Sequence, residues 1–235
     1  MQTLADHARA LGIELNDTQL AAFETYYREL VTWNARVNLT AITERDQVVV
    51  KHFLDSISVA PAIPRDASSL IDVGSGAGFP GAPLKIVLPD LRVTLLETTG
   101  KKVAFLNHLI AILNLRDTRA IQARAEDLAR DDAHRERYDV VVARAVADLA
   151  VLVEYCLPFA RVGGVFIAQK GIAVEDEIRH AARALKVLGG RIRAITPVPL
   201  PGLEPRHLIV VEKIARTPAT FPRRAGLPAR QPLTN

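Results

Sequence analysis

The chain predicts an α/β fold: a doubly wound sheet, mostly parallel with its last strand antiparallel, behind a small N-terminal helical region. Three observations carry this. Residues 1–60 place apolar side chains at three- and four-residue steps, the period of a helix. From Ser68 onward, short apolar runs alternate with amphipathic helical stretches, the rhythm of a parallel sheet. The last two runs are joined by VPLPGLEPR, too short for the parallel crossover of about a dozen residues, so the final pair should be antiparallel.

The elements follow in order. Leu4, Ala8 and Leu11 form one helical face, ended by Gly12. A longer helix, capped by Asp17 or Thr18, runs through TQLAAFETYYRELVTWNARVN. Thr43-Glu44-Arg45-Asp46 resembles a capping box before Val48, Val49 and Val50, and Pro61 and Pro64 close the region. SLIDV, RVTLLE, TRAIQ and YDVVVAR read as the first four strands, the last as apolar as a strand covered on both faces should be. Helices are expected from Pro80–Gly81 to Pro89, over KKVAFLNHLIAILNL and over LAVLVEYCLPFA. Gly163-Gly164 should turn into the strand VFIAQK, followed by the helix EDEIRHAARALKVL and the strands RIRAITPV and HLIVVEK. This divides the chain into a helical region (1–64), a sheet domain (65–213) and a tail (214–235).

Composition narrows the function classes. Apolar residues are 49% and charged residues 24%, ordinary values for a soluble domain, and no apolar run approaches the roughly 20 residues that span a bilayer. The first residues contain acid and lack an apolar stretch, so neither a signal peptide nor a membrane partner is expected, and the location is read as cytoplasmic. The single cysteine, Cys156, excludes a disulfide within the chain, and the six histidines are scattered, so no metal is expected. The net charge of +4 equals the four arginines of the acid-free tail, Arg216, Arg223, Arg224 and Arg230. Such an arm suits a phosphate backbone or serves only solubility.

The chemistry centres on LIDVGSGAGFPGAPL, residues 70–84. From Gly76 it fits the G-x-G-x-x-G loop of a dinucleotide site; from Asp72 it fits D-x-G-x-G-x-G, which holds an amino-acid-bearing nucleoside. Glu97, ending the second strand, can accept both ribose hydroxyls under either reading. Three details favour the second. Pro80 lacks the N–H that a pyrophosphate loop needs. Asp72 can orient the loop or meet a cationic amino group. The late antiparallel pair suits a methyltransferase sheet better than a dehydrogenase sheet. Arg124-Ala125-Glu126 after the third strand and Asp139 opening the fourth complete the constellation.

Arg144, at the carboxyl end of the fourth strand, could read the acceptors of a nucleobase, grip a phosphate or touch the cofactor; the plainer alternative is a rim ion pair with Asp139 or Asp148. Lys170 and Gly171 end the fifth strand beside the same cleft, for phosphate contact or as a solvated strand end. Lys101 and Lys102 open a helix, where cations oppose the dipole unless an anion is near. Trp33 reads as core, Asn34 and Asn38 as local backbone partners, and His52 with Asp55 as a hydrogen-bonded pair on one helical face. Arg206-His207 could touch RNA or open the last strand, and Cys156 reads as a core thiol.

These residues resemble the bacterial small-subunit ribosomal RNA methyltransferase G family, also called glucose-inhibited division protein B. The matching stretches are WNARVNLTAI (33–42), HFLDSI (52–57), IDVGSGAGFPGAPL (71–84), LLETTGKKVAFL (95–106), RAE (124–126), YDVVVARAVA (138–147), QKG (169–171), RHLIVVEK (206–213) and TPATFPRRAGLPARQPL (217–233). The resemblance implies a Rossmann-like class I methyltransferase that moves a methyl group from S-adenosylmethionine to N7 of one guanine in 16S rRNA, numbered 527 in the family. It implies cofactor contacts at Gly74, Phe79, Glu97, Thr98, Thr99, Ala125, Glu126 and Arg144, with Gly76 in the same loop. Threonines stand where many members carry serine. N7 carries a lone pair and no proton, so direct displacement needs alignment and no general base. The implied partner is 16S rRNA in the small subunit or its assembly intermediate, met by a monomer. The competing readings are a methyltransferase for another RNA, a protein or a small molecule, and a non-catalytic RNA-binding assembly factor on the same fold. A nicotinamide oxidoreductase is the weakest.

Overall fold

A computed structural model of the chain describes residues 1–144, 147–171, 174–204 and 206–234. Ala145 and Val146 of the 138–147 stretch, and Pro205 of the final connection, lie outside the described residues. Helices α1 (Gln2–Ala10) and α2 (Asp17–Val37) lead into α3 (Arg45–Val48), a π-helical segment (Val49–Leu54) and α4 (Asp55–Ile57). Then come β1 (Ser69–Val73), α5 (Gly81–Val87), β2 (Arg92–Glu97), α6 (Gly100–Ile112), β3 (Thr118–Gln122) and α7 (Ala125–Leu128). The second half holds β4 (Tyr138–Arg144), α8 (Leu149–Cys156), β5 (Ala160–Lys170), α9 (Val174–Leu188), β6 (Gly190–Val198) and β7 (Arg206–Lys213); a short α10 (Leu227–Arg230) lies in the tail.

The seven strands form one sheet in the order β3-β2-β1-β4-β5-β7-β6. β1 pairs in parallel with both β2 and β4, and β7 is antiparallel to β5 and to β6, as expected. The chain winds outward from β1 in one direction and then the other, so the switch in strand order falls between β1 and β4. The central strands are covered on both faces. Val140, Val142, Val165, Ile167, Leu208 and Val210 join the core under α2, α5 and α6. Their neighbours Val141, Ala143, Phe166, Ala168, Ile209 and Val211 join the core under α8 and α9. Period-two alternation with apolar residues on both sides is what a doubly wound sheet requires. The N-terminal helices share the first of these cores: Leu4, Phe23, Tyr26, Leu30 and Phe53 are fully buried in it.

Some local expectations need correction. Asn16, not Asp17 or Thr18, caps α2, through a reciprocal capping box with Gln19. Glu44, not Thr43, caps α3: its carboxylate accepts from the N–H groups of Asp46 and Gln47. A longer carboxylate can close that turn by itself. Gly163 and Gly164 lie inside β5, where the pairing with β4 shifts register between Tyr138 and Val140. Asp139 opens β4 at the far end from the glycine loop. Its carboxylate accepts from Ser68, Ser69 and Arg161; these bonds outweigh burial and hold it well below the usual carboxylate range. It joins strand ends and takes no part in the site.

Candidate active site

The glycine loop turns between β1 and α5 at the carboxyl edge of the sheet. Two of its glycines answer to protein neighbours. Gly78 has φ +98°, and a Cβ there would stand 2.5 Å from the Tyr26 hydroxyl, which donates to the Ala77 carbonyl at 2.6 Å. At Gly81 a Cβ would meet Leu95 at 2.5 Å and Asp72 at 2.8 Å. The Gly81 N–H donates to Asp72 Oδ2 at 2.8 Å. Asp72 is fully buried, and burial pushes its carboxyl up to about 7. It therefore takes the first of the two roles expected of it, orienting the loop. Pro80 offers no N–H and Gly81 spends its own on Asp72, so the start of α5 is not a pyrophosphate seat.

Glu97 is the acceptor around which the loops converge. Oε2 accepts from the Gly76 N–H at 3.0 Å; Oε1 accepts from the N–H groups of Thr98 and Thr99, each at 2.8 Å. Burial raises its pKa, but the Thr99 N–H, the Lys102 charge and the Gly76 N–H outweigh that and leave it lowered. A cavity of about 260 Å³ lies alongside, lined by Gly74, Glu97, Thr98, Ala125, Glu126 and Tyr155 among others. Apolar side chains interleaved with the two carboxylates Glu97 and Glu126 suit a nucleoside: the apolar groups fit a purine, a carboxylate a ribose hydroxyl. Glu126 is braced from behind, its Oε1 accepting from the Gly226 N–H of the tail at 2.8 Å.

A second cavity, of about 340 Å³, opens at the ends of β4 and β5. Its wall carries the cations Lys51, Arg144, Lys170 and Arg206. Arg144 does not pair with Asp139 or Asp148. Its Nη1 donates to Asp55 Oδ2 at 2.8 Å and to the Lys51 carbonyl at 3.1 Å, and its guanidinium lies 5.0 Å from the Phe79 ring centroid. Phe79 is 6% exposed, is stacked between Tyr26 and His52, and lines neither cavity. Lys170 Nζ lies 2.6 Å from Glu177 and donates to the Ala147 carbonyl at 2.8 Å.

The expected His52–Asp55 pair is absent among the described hydrogen bonds. His52 Nε2 meets Thr40 Oγ1 at 2.9 Å, while Asp55 turns to Arg144 and Gln169. The π-helical segment between α3 and α4 widens the turn between them, a device common at functional sites. Burial, and then the Arg144 charge, push the His52 imidazole down to about 4. Asn34 Oδ1 accepts from Leu39 and Thr40 N–H groups and shapes the turn that brings Thr40 to His52; Asn38 ends α2 with φ +54°. Trp33 packs beside Phe105 and His108. Cys156 is fully buried, its thiol pushed well up by burial, so it is a core group. No cluster of metal-ligating side chains occurs among the described residues.

Fold and site together define a class I methyltransferase. A solved glycopeptide N-methyltransferase, MtfA, complexed with S-adenosylmethionine, matches at TM-score 0.55 and 14% identity, over 70% of this chain and 93% of its own. TrmN from Thermus thermophilus matches at TM-score 0.53 and 19% identity, over 68% of this chain and 48% of its own. The family model described as rRNA small subunit methyltransferase G matches residues 19–204. A ribosomal RNA small subunit methyltransferase G from Roseiflexus sp. (strain RS-1) is 53% identical over 99% of this chain and all of its own length. The chain belongs to the rRNA small subunit methyltransferase G family.

Proposed function

We propose that this rRNA methyltransferase transfers a methyl group from S-adenosylmethionine to N7 of one guanine in 16S rRNA, as a cytoplasmic monomer. The supporting observation is what faces the second cavity. A deprotonating enzyme needs a base poised near neutral pH. His52 is held neutral with a pKa near 4, and Asp55 and Glu177 are committed to Arg144 and Lys170. Asp72, with its value near 7, lines neither cavity. That environment suits a nucleophile that arrives with a free lone pair, as N7 does.

Glu97, Thr98, Ala125 and Glu126 would hold the nucleoside part of the cofactor, which supplies an electrophilic sulfonium methyl when bound. The protein's own work is alignment: Arg144 offers guanidinium donors to the base, and the remaining cations meet phosphate. The test uses small subunits from a strain lacking the modification, a labelled methyl donor and chemical cleavage at 7-methylguanosine. One labelled guanine in 16S rRNA is expected. Label in another base, or none while the cofactor binds, overturns the proposal.

A further inference from the structure

Two buried side-chain atoms among the described residues lack a hydrogen-bond partner: Oδ1 of Asp72 and Oε1 of Gln169. Asp72 is held through its other oxygen by the Gly81 N–H and lines neither cavity. Gln169 does line one, and a buried carbonyl oxygen left unpaired is costly.

The orientation of Gln169 is fixed by chemistry. Its Nε2 lies 2.7 Å from the Asp55 carbonyl and 3.4 Å from Asp55 Oδ1. Both neighbours accept and neither donates, so the nitrogen belongs on that side and Oε1 on the other. The side chain lines the second cavity and is only 4% exposed. Arg144 is its register partner across the β4–β5 pair, and the same Asp55 holds both. Behind the cavity wall, a buried acceptor, Gln169 Oε1, therefore lies beside the Arg144 donor.

We infer that Gln169 sets the base specificity of the reaction: its Oε1 accepts from the Watson–Crick edge of the target guanine, N1–H or the 2-amino group, while Arg144 donates to O6. This rests on the guanine-N7 reading above. Guanine presents O6, an acceptor, next to N1–H, a donor. Adenine presents an amino donor next to a bare N1 acceptor, so both partners face the wrong group. A site whose buried polar groups are left unpaired by the wrong substrate discriminates strongly. Gln169 and Arg144 together would then select guanine from adenine before any methyl moves.

The test compares the wild type with Gln169→Met, which keeps the length and removes the acceptor. Substrates are small subunits reconstituted with guanosine, 1-methylguanosine or inosine at the target nucleotide, with kcat/KM for methyl transfer as the readout. The variant should lose about 10- to 100-fold on guanosine. It should lose nothing further on the analogue that lacks the contacted donor, whereas the wild type falls on that analogue by the same factor. Equal losses on all three substrates, or wild-type rates, overturn the inference. Cofactor affinity measured by calorimetry checks that the variant is folded; if it is not, Gln169→Leu is carried through the same comparison. Failure of the wild type on guanosine subunits overturns the guanine-N7 reading itself and is seen without any variant.

Discussion

The two cavities at the carboxyl edge of the sheet are built on different principles. The first is made from successive loops, and backbone N–H groups of Gly76, Thr98 and Thr99 gather on one carboxylate, Glu97. The second is made from side chains brought from afar: Arg144 and Asp55 are 89 residues apart, Gln169 and Asp55 114. A backbone cradle suits a ligand whose shape never varies. A wall of charged side chains suits a polyanion, where each contact adds affinity or selectivity. Variants in the two cavities should therefore separate cofactor binding from transfer.

The largest effect is expected at Glu97. Glu97→Ala removes the proposed diol acceptor and leaves three loop N–H groups without theirs. Hydrogen bonds to a charged group contribute about 1.5–3 kcal/mol each, so S-adenosylmethionine affinity should fall about 100- to 1,000-fold. Calorimetry measures it; a loss under about fivefold would move the cofactor elsewhere.

Acid–base behaviour sharpens the same contrast, because His52 in the second cavity and Asp72 beneath the glycine loop carry shifts of opposite consequence. His52 takes up its proton near 6.5 when unfolded but only near 4 when folded. Its contribution is whole above 6.5 and is lost as pH falls to 4, on the order of 3 kcal/mol. Asp72, under the glycine loop, loses its proton near 3.8 when unfolded and near 7 when folded. Its contribution is whole below 3.8 and is lost as pH rises to 7, on the order of 4 kcal/mol. Between pH 4 and 6.5 the two oppose each other. Urea unfolding at pH 4, 5.5 and 7 should show His52→Gln gaining on the wild type as pH falls and Asp72→Asn gaining as pH rises. Curves parallel to the wild type would contradict the assignment.

How far the sequence could be read follows the same divide. The succession of strands along the chain, the glycine loop and Glu97 are local patterns, and the loop's neighbours in the chain are its neighbours in space. The partner of Arg144 was not legible. Asp55 reaches it through a π-helical segment that no three- or four-residue period announces, and Asp139 and Asp148 were nearer in the chain. Gln169 was passed over because a glutamine at a strand end carries no signal; its meaning lies in an orphaned atom that only packing reveals.

A smaller effect tests where Arg144 belongs, since the family resemblance gave it to the cofactor and the geometry sets it in the other wall. Arg144→Lys keeps the charge and loses the guanidinium that serves Asp55 and the Lys51 carbonyl and is proposed to meet the base. Methyl transfer should fall about 10-fold in kcat/KM, with cofactor affinity within about twofold. A matching loss of cofactor affinity would return Arg144 to the first cavity.

The smallest expected effect concerns the tail, which a reading of charge alone offers to RNA. Much of that charge is spent on the body. Arg223 forks onto the fully buried Glu154, and Arg216 pairs with Glu136. In return, body arginines hold the tail's backbone: Arg130 donates to the Pro222 carbonyl, and Arg135 to those of Phe221 and Thr217. The tail ends by placing the Gly226 N–H on Glu126, at the wall of the first cavity. Deleting residues 224–235 keeps the Glu154 fork and removes the Glu126 brace. That bond reaches the cofactor only through the position of Glu126, so a part of it, roughly 1 kcal/mol, should be felt and cofactor affinity should weaken about fivefold. The slope of RNA affinity against salt should change by less than about one phosphate contact. A phosphate-tracking arm predicts the reverse: unchanged cofactor affinity and a slope that drops by about two, one each for Arg224 and Arg230.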